Sequence, residues 1–316
     1  ANGIQQIWVR DTARAVTALV TQTAAGTPGT GPSWAPAIAG DAATIAFASD
    51  ARDLVNGNPA PGQAFIAANP LVLPEKPGYW YMPAIGGGQG WVMERWGDRA
   101  YVAGLAYDTN GRSQWLAGFC NLSALTCSGT LQERTGGAPF GLAGAGNPVA
   151  AAGPAFAIVT DTNGNGAGLG IGGGAVLPLA RYAIGGSATT GYAGLPQTGW
   201  WYEPDAGGSA NGYFLAVHSQ PGTNGTVQQT AYLSILTFDT GGRPVWYAAQ
   251  AVLGADLGFS GTLYQYQGGP AIGATTAAGN AAASPIGQVR MTFSGSDRAS
   301  VSLPNGRVAA ITRYRF

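Results

Sequence analysis

Two acids stand at matching places in this sequence, each followed closely by an arginine. Asp108 lies in Tyr107-Asp108-Thr109-Asn110-Gly111-Arg112, and Asp239 lies in Phe238-Asp239-Thr240-Gly241-Gly242-Arg243, 131 positions later. A recurring carboxylate near a guanidinium suits general acid–base chemistry or the capture of a carboxylate. Turn chemistry explains each position without a substrate. The Asp caps a type I turn, Gly111 or Gly242 takes the left-handed position of a bulged hairpin, and Arg112 or Arg243 pairs with the Asp across the turn. Asp108, Gly111, Arg112, Asp239, Gly242 and Arg243 are therefore expected to form one structural turn, used twice.

The other candidates for chemistry do not complete a constellation. Asp161-Thr162-Asn163-Gly164-Asn165-Gly166 begins like a calcium loop, but its twelfth position is Gly172 where a bidentate Glu is needed. A plain turn opposite Ser294-Gly295-Ser296-Asp297 is the simpler reading. His218 is the single histidine and has neither a second histidine nor a cysteine pair beside it for a zinc site. Gly208-Ser209 lies in no nucleophile-elbow frame. Glu203 and Asp205 would make a glycosidase pair, yet Met82 and Ala84 fill the matching places of the other copy. Arg181 and Arg313 recur near the ends of the copies, where closing a barrel end by hydrogen bonds is the commoner use of arginine. No catalytic residue, metal or cofactor is assigned.

Aromatic rings are the better binding candidates. Trp80, Trp91, Trp96, Trp200 and Trp201 cluster where the copies open. Trp80, Trp200, Trp201, Tyr202 and Trp8 are the rings that would stack on a sugar or anchor a subunit. Burial is the commoner fate of such rings, because a small barrel needs large inward residues.

Composition narrows the partners. The chain has 316 residues, of which 9 % are charged, and its net charge is zero, so the footprint of a nucleic-acid binder is missing. Glycine reaches 52 residues, but nine Trp, thirteen Tyr and ten Phe supply more apolar surface than a disordered chain carries. No stretch approaches the ~18 apolar residues of a membrane span, and the first residues lack the basic start and apolar run of a signal peptide. Cys120 and Cys127 are the only cysteines. They align near Ala251 and Phe259 of the second copy, so a local disulfide and an extracellular or periplasmic setting are the natural reading, with two buried thiols as the alternative.

These turns and rings need strands to position them. In residues 1–70, the runs Ile4 to Arg10, Ala15 to Thr21, Thr44 to Ser49 and Gln63 to Ala67 read as four strands between Gly, Pro, Asn and Asp clusters. Residues 71–77 form a Pro-rich linker. Residues 78–185 and 186–316 are two β modules. Tyr79-Trp80-Tyr81-Met82-Pro83 matches Trp200-Trp201-Tyr202-Glu203-Pro204, Trp91 to Trp96 matches Tyr213 to His218, and Ser128-Gly129-Thr130-Leu131 matches Ser260-Gly261-Thr262-Leu263. Some ten extra residues in the second copy, Ser219 to Gln228, lengthen one hairpin loop. With about eight strands per module, short turns and no helical period, the chain is expected to be all-β. Two tandem antiparallel meanders should close as barrels or curled sandwiches, with the barrel favoured.

Ser33-Trp34-Ala35-Pro36-Ala37-Ile38-Ala39-Gly40-Asp41, followed by Ile45 to Asp50 and Asp53-Leu54-Val55, resembles one blade of the TolB-like or WD40-like β-propellers. A single blade cannot close a ring, so its sheet is expected to borrow a partner from the rest of the chain, from another subunit, or from a longer propeller of which it is a remnant. The tandem modules resemble repeats of secreted bacterial proteins marked by Gly-x-Trp-Trp-x-Pro and Tyr-Asp-x-x-Gly-Arg-Pro-x-Trp-Tyr. The second copy matches at Gly199 to Pro204 and Phe238 to Tyr247, and the first departs at Met82 and Ser113. This resemblance implies no activity. Low charge, Gly- and Thr-rich β modules and an incomplete N-terminal sheet lead to the expectation of a non-enzymatic extracellular structural protein. It would be a subunit of a surface filament, sheath or adhesive assembly, self-associating by strand complementation. A carbohydrate-binding module is the alternative, from the aromatic clusters, and a hydrolase comes third.

Overall fold

The computed structural model describes residues 3–12, 16–23, 26–39, 44–55, 57, 59–70, 78–85, 88–96, 99–123, 126–142, 146, 148–160, 166–184, 197–204, 211–221, 227–256, 258–274, 281–295 and 297–316. The chain divides into two compact units, Ala1–Glu75 and Lys76–Phe316. The boundary falls within the Pro-rich linker 71–77, which lies outside the described residues, as does the calcium-like stretch 161–165.

In the N-terminal unit, β1 (Trp8–Asp11) and β2 (Val16–Leu19) form a hairpin, while β3 (Ser33–Ile38), β4 (Thr44–Ser49) and β5 (Gln63–Ala68) form an antiparallel sheet in that order. Alternation along β4 buries Ile45 and Phe47 and exposes Thr44 and Ala46, as a sheet with one covered face requires. Ile7, Val20, Ile45 and Phe47 make a small core with Val9, Leu54, Phe65 and Ala67 against it. A backbone bond from Val20 N to Ile7 O extends the hairpin, and one from Ser33 N to Gln5 O ties this region to the sheet. The described strands of this unit number five in two sheets, where the sequence suggested four runs and a single blade. Of the partners open to the larger sheet, the chain itself supplies one for one face, because Ile7 and Val20 bring the apolar surface that the face needs.

The second unit holds both modules, and each is a closed eight-stranded meander. Strands β6 (Gly78–Tyr81), β7 (Gly90–Trp96), β8 (Arg99–Tyr107), β9 (Ser113–Ser123), β10 (Thr126–Thr135), β11 (Val149–Thr160), β12 (Gly166–Ile171) and β13 (Leu177–Arg181) form the first barrel, closed by β13 on β6. Strands β14 (Gly199–Tyr202), β15 (Gly212–Pro221), β16 (Val227–Phe238), β17 (Pro244–Val252), β18 (Phe259–Gln267), β19 (Ala282–Phe293), β20 (Arg298–Ser302) and β21 (Val308–Arg313) form the second, closed by β21 on β14. In the lengthened hairpin the β15–β16 ladder runs out to Pro221 and Val227.

Side chains fill both barrels, as eight strands allow. Trp80, Trp91, Leu131 and Phe156 sit inside the first, and Trp201, Tyr213, Phe259 and Met291 inside the second. Cys120 and Cys127 form a disulfide in the first core, with Cα atoms 5.4 Å apart; Ala251 and Phe259 pack at the corresponding places of the second.

Many outward residues of β7–β9 and β15–β17 are also apolar. Val92, Leu105, Tyr107 and Trp115 meet Phe214, Leu236, Phe238 and Trp246 in a third core between the barrels. Strands buried on both faces read as unbroken apolar runs, which is why Val102 to Tyr107 and Tyr213 to Val217 do not alternate.

The contacts across this core are reciprocal. Trp115 Nε1 donates to Thr237 O at 2.9 Å, and Trp246 Nε1 donates to Ala106 O at 3.1 Å. Gly136 N donates to Gly242 O and Gly268 N to Gly111 O, both at 2.7 Å. A Cβ on Gly137 would lie 1.9 Å from the Phe238 ring, and one on Gly269 would lie 2.1 Å from the Tyr107 ring. The repeated turn therefore has a second task beyond its hairpin. Asp108 Oδ1 accepts from the amides of Asn110 and Arg112, Asp239 Oδ1 accepts from those of Gly241 and Arg243, and Gly111 and Gly242 both have φ of 74°. Each turn then offers its glycine carbonyl to the other barrel.

Candidate functional site

Reciprocal docking produces two clefts built from equivalent positions. The larger, of about 840 Å³, lies among Tyr79, Trp80, Gln89 and Tyr182 of the first barrel and Tyr232, Trp246, Gln250, Tyr264 and Tyr266 of the second. The smaller, of about 180 Å³, lies among Trp200, Trp201, Asn211 and Tyr314 of the second barrel and Tyr101, Trp115 and Arg134 of the first. In repeat order, Tyr79 corresponds to Trp200, Trp80 to Trp201, Tyr182 to Tyr314, Tyr232 to Tyr101 and Trp246 to Trp115. The ring contacts correspond too. Tyr232 touches Tyr79 and Tyr182 at centroid distances of 4.6 and 5.6 Å, and Tyr101 touches Trp200 and Tyr314 at 5.0 and 5.9 Å.

One acid separates the two. At the smaller cleft Glu94, from β7, accepts the Trp200 amide at 2.6 Å and meets Arg313 Nη2 at 2.5 Å, with both side chains buried at 4 % and 8 % exposure. Arg313 also donates to Trp200 O and stands over the Trp201 ring. At the larger cleft the position equivalent to Glu94 is Ala216, and Arg181, the counterpart of Arg313, lies over the Trp80 ring at 4.8 Å. Arg181 is the one charged side chain among the lining residues there. His218, two residues beyond Ala216, is buried, and burial followed by the Arg181 charge lowers its pKa to about 4, so it is neutral at pH 7.

The hydrogen-bonding groups differ as well. Trp201 Nε1 donates to Gln197 O at 3.0 Å, whereas its counterpart Trp80 Nε1 has no hydrogen-bond partner. Gln89 spends its amide nitrogen on Ala271 O at 3.2 Å, and its Oε1 is also without a partner. Trp200 Nε1 and Asn211 Oδ1 lack partners at the smaller cleft, whose volume suits a few waters rather than a ligand. Burial holds the Tyr79 hydroxyl well above the ordinary phenol range, and that hydroxyl donates to Phe214 O at 2.9 Å.

Of the rings singled out in the sequence, Trp80 and Trp201 are in the barrel cores and Trp200 is in the core between them, each at most 2 % exposed. Tyr202 is 39 % exposed at the smaller cleft, and Trp8 is 58 % exposed on β1. Glu203 is buried against Arg307 and accepts the Tyr213 hydroxyl at 2.5 Å; Asp205 lies outside the described residues. Arg243 pairs with Asp239 at 2.6 Å across its turn. Among the described residues no group of three or more His, Cys, Asp or Glu side chains is placed to hold a metal.

Sequence reasoning missed Gln89, Glu94, Tyr182, Tyr232, Tyr264 and Tyr266. Two signals pointed toward some of them. The i, i+2 spacing of Tyr264 and Tyr266 puts two rings on one face of β18, and Glu94 is the one acid in the largely apolar run of β7.

Outside the barrels, the two edge strands of the N-terminal sheet differ in regularity. Strand β3 carries a register shift between Trp34 and Ala37, Pro36, and Ala35 at a φ of 50°. Strand β5 pairs with β4 over six residues without irregularity and contains no charge or proline, and its Ile66 is 80 % exposed. No described residue pairs with its outer edge.

Compared with known proteins, the chain matches no family model, no curated protein and no solved structure.

Proposed function

We infer that this chain is a non-enzymatic extracellular structural protein, a subunit that joins copies of itself into a surface filament, sheath or adhesive assembly through the N-terminal sheet. The observation that carries this reading is the β5 edge. A regular, uncharged edge strand presents a row of backbone donors and acceptors, the template that proteins kept monomeric blunt with charge, proline or a bulge. β3 is blunted in this way and β5 is not. A strand from a second copy laid along β5 would satisfy those groups and cover Ile66. The disulfide and the sparse charge suit an oxidising exterior.

Electron microscopy of the purified chain across concentration tests this. The unaltered protein is expected to form oligomers or filaments, and Ile66→Lys, which places a charge on the edge, is expected to disperse them while circular dichroism stays the same. Dispersed monomers of the unaltered protein at every concentration would end the proposal.

A further inference from the structure

We propose that the larger cleft between the barrels is a binding site for a short, uncharged oligosaccharide, one per chain, independent of the assembly reading above. Its volume of about 840 Å³ is in the range of small-molecule sites, ~300–1,000 Å³. The lining combines ring faces, which take the C–H faces of a pyranose, with phenol and amide groups, which exchange hydrogen bonds with its hydroxyls. The Tyr266 ring stacks on buried Trp246 at 4.9 Å with planes 14° apart, which backs and fixes that ring of the wall.

One unpartnered group narrows the ligand class. Gln89 Oε1 is an acceptor without a partner, on a lining residue 4 % exposed. A hydrocarbon ligand would leave it unmet, at a penalty typical of buried unpaired polar groups. A hydroxyl both donates and accepts, and a sugar carries several. No carboxylate is among the residues lining the cleft, so nothing there selects a cationic ligand. The smaller cleft acts as an internal control, since its walls are equivalent and the space is about a fifth as large.

The test is an array of neutral glucan, xylan and N-acetylglucosamine oligomers, followed by calorimetric titration of the full chain with whichever oligomer binds. Tyr182→Ala and Gln250→Ala remove wall groups of the larger cleft and are expected to weaken binding about tenfold each. Tyr202→Ala, at the smaller cleft and similarly exposed, is expected to leave affinity unchanged, and the thermal transition of all three should match the parent. No binding on the array, or a preference for fatty acids over every saccharide, would overturn the proposal. So would an affinity that survives Tyr182→Ala and Gln250→Ala but falls with Tyr202→Ala.

Discussion

The two clefts have equivalent walls and opposite fates. Where the first barrel contributes Glu94, the junction is tied: the carboxylate takes up the Trp200 amide and the Arg313 guanidinium, and the cleft beside it measures about 180 Å³. Where the second barrel contributes Ala216, that position carries no acid, Arg181 lies over the Trp80 ring, and the cleft beside it measures about 840 Å³. The lesson is that duplication supplies the scaffold of both sites, while one charged position can decide which becomes a joint and which a cavity.

The comparison can be broken at Glu94. Glu94→Ala removes the acid and leaves Arg313 buried without its carboxylate, which should cost about 3–5 kcal/mol in a denaturant titration. If the loss is under about 1 kcal/mol, the Glu94–Arg313 pair is not what holds that junction.

A smaller effect is expected at His218. Its pKa in the folded chain is about 4 against 6.5 when unfolded, so between these values the unfolded chain binds the extra proton. Stability should therefore be at its plateau above pH 6.5 and fall as pH drops toward 4, by up to about 3 kcal/mol. His218→Gln should flatten that part of the profile, and Glu94 variants should keep it.

The smallest effect sharpens the symmetry itself. Gly137→Ala and Gly269→Ala drive a methyl group into Phe238 and Tyr107, respectively, and each should cost about 1–3 kcal/mol. Near-equal losses in thermal unfolding support reciprocal docking; a loss at one position alone contradicts it.

Much of the fold was legible because it depends on local chemistry. Asp108 to Arg112 and Asp239 to Arg243 announce their hairpins through turn residues, and the repeat counts out eight strands per module. The N-terminal segment was harder. Motif resemblance suggested one blade, while the packing of Ile7 and Val20 over Ile45 and Phe47, which divides it into two sheets, rests on contacts distant in sequence. The clefts were legible only in fragments. Arg181, Arg313, Trp80 and Trp201 were visible as recurring residues, but pairing Glu94 with Arg313 spans 219 positions and needs both barrels closed and docked first. The rings that open each module drew attention as binding residues, yet alternation sends Trp80 and Trp201 inward and leaves wall-building to Tyr182, Tyr264 and Tyr266.

The doubly apolar strands at the barrel junction have an ancestral consequence. A lone module would present Leu105, Tyr107 and Trp115, or their counterparts, to water, and its natural remedy is a second identical module bound isologously. Such a homodimer is compelled to own two identical clefts, because any change appears on both sides. Fusing the halves into one chain makes their pairing independent of concentration and frees each copy to vary alone. Covalent linkage is thus what permits a symmetric pair to keep one closed seam and one open mouth.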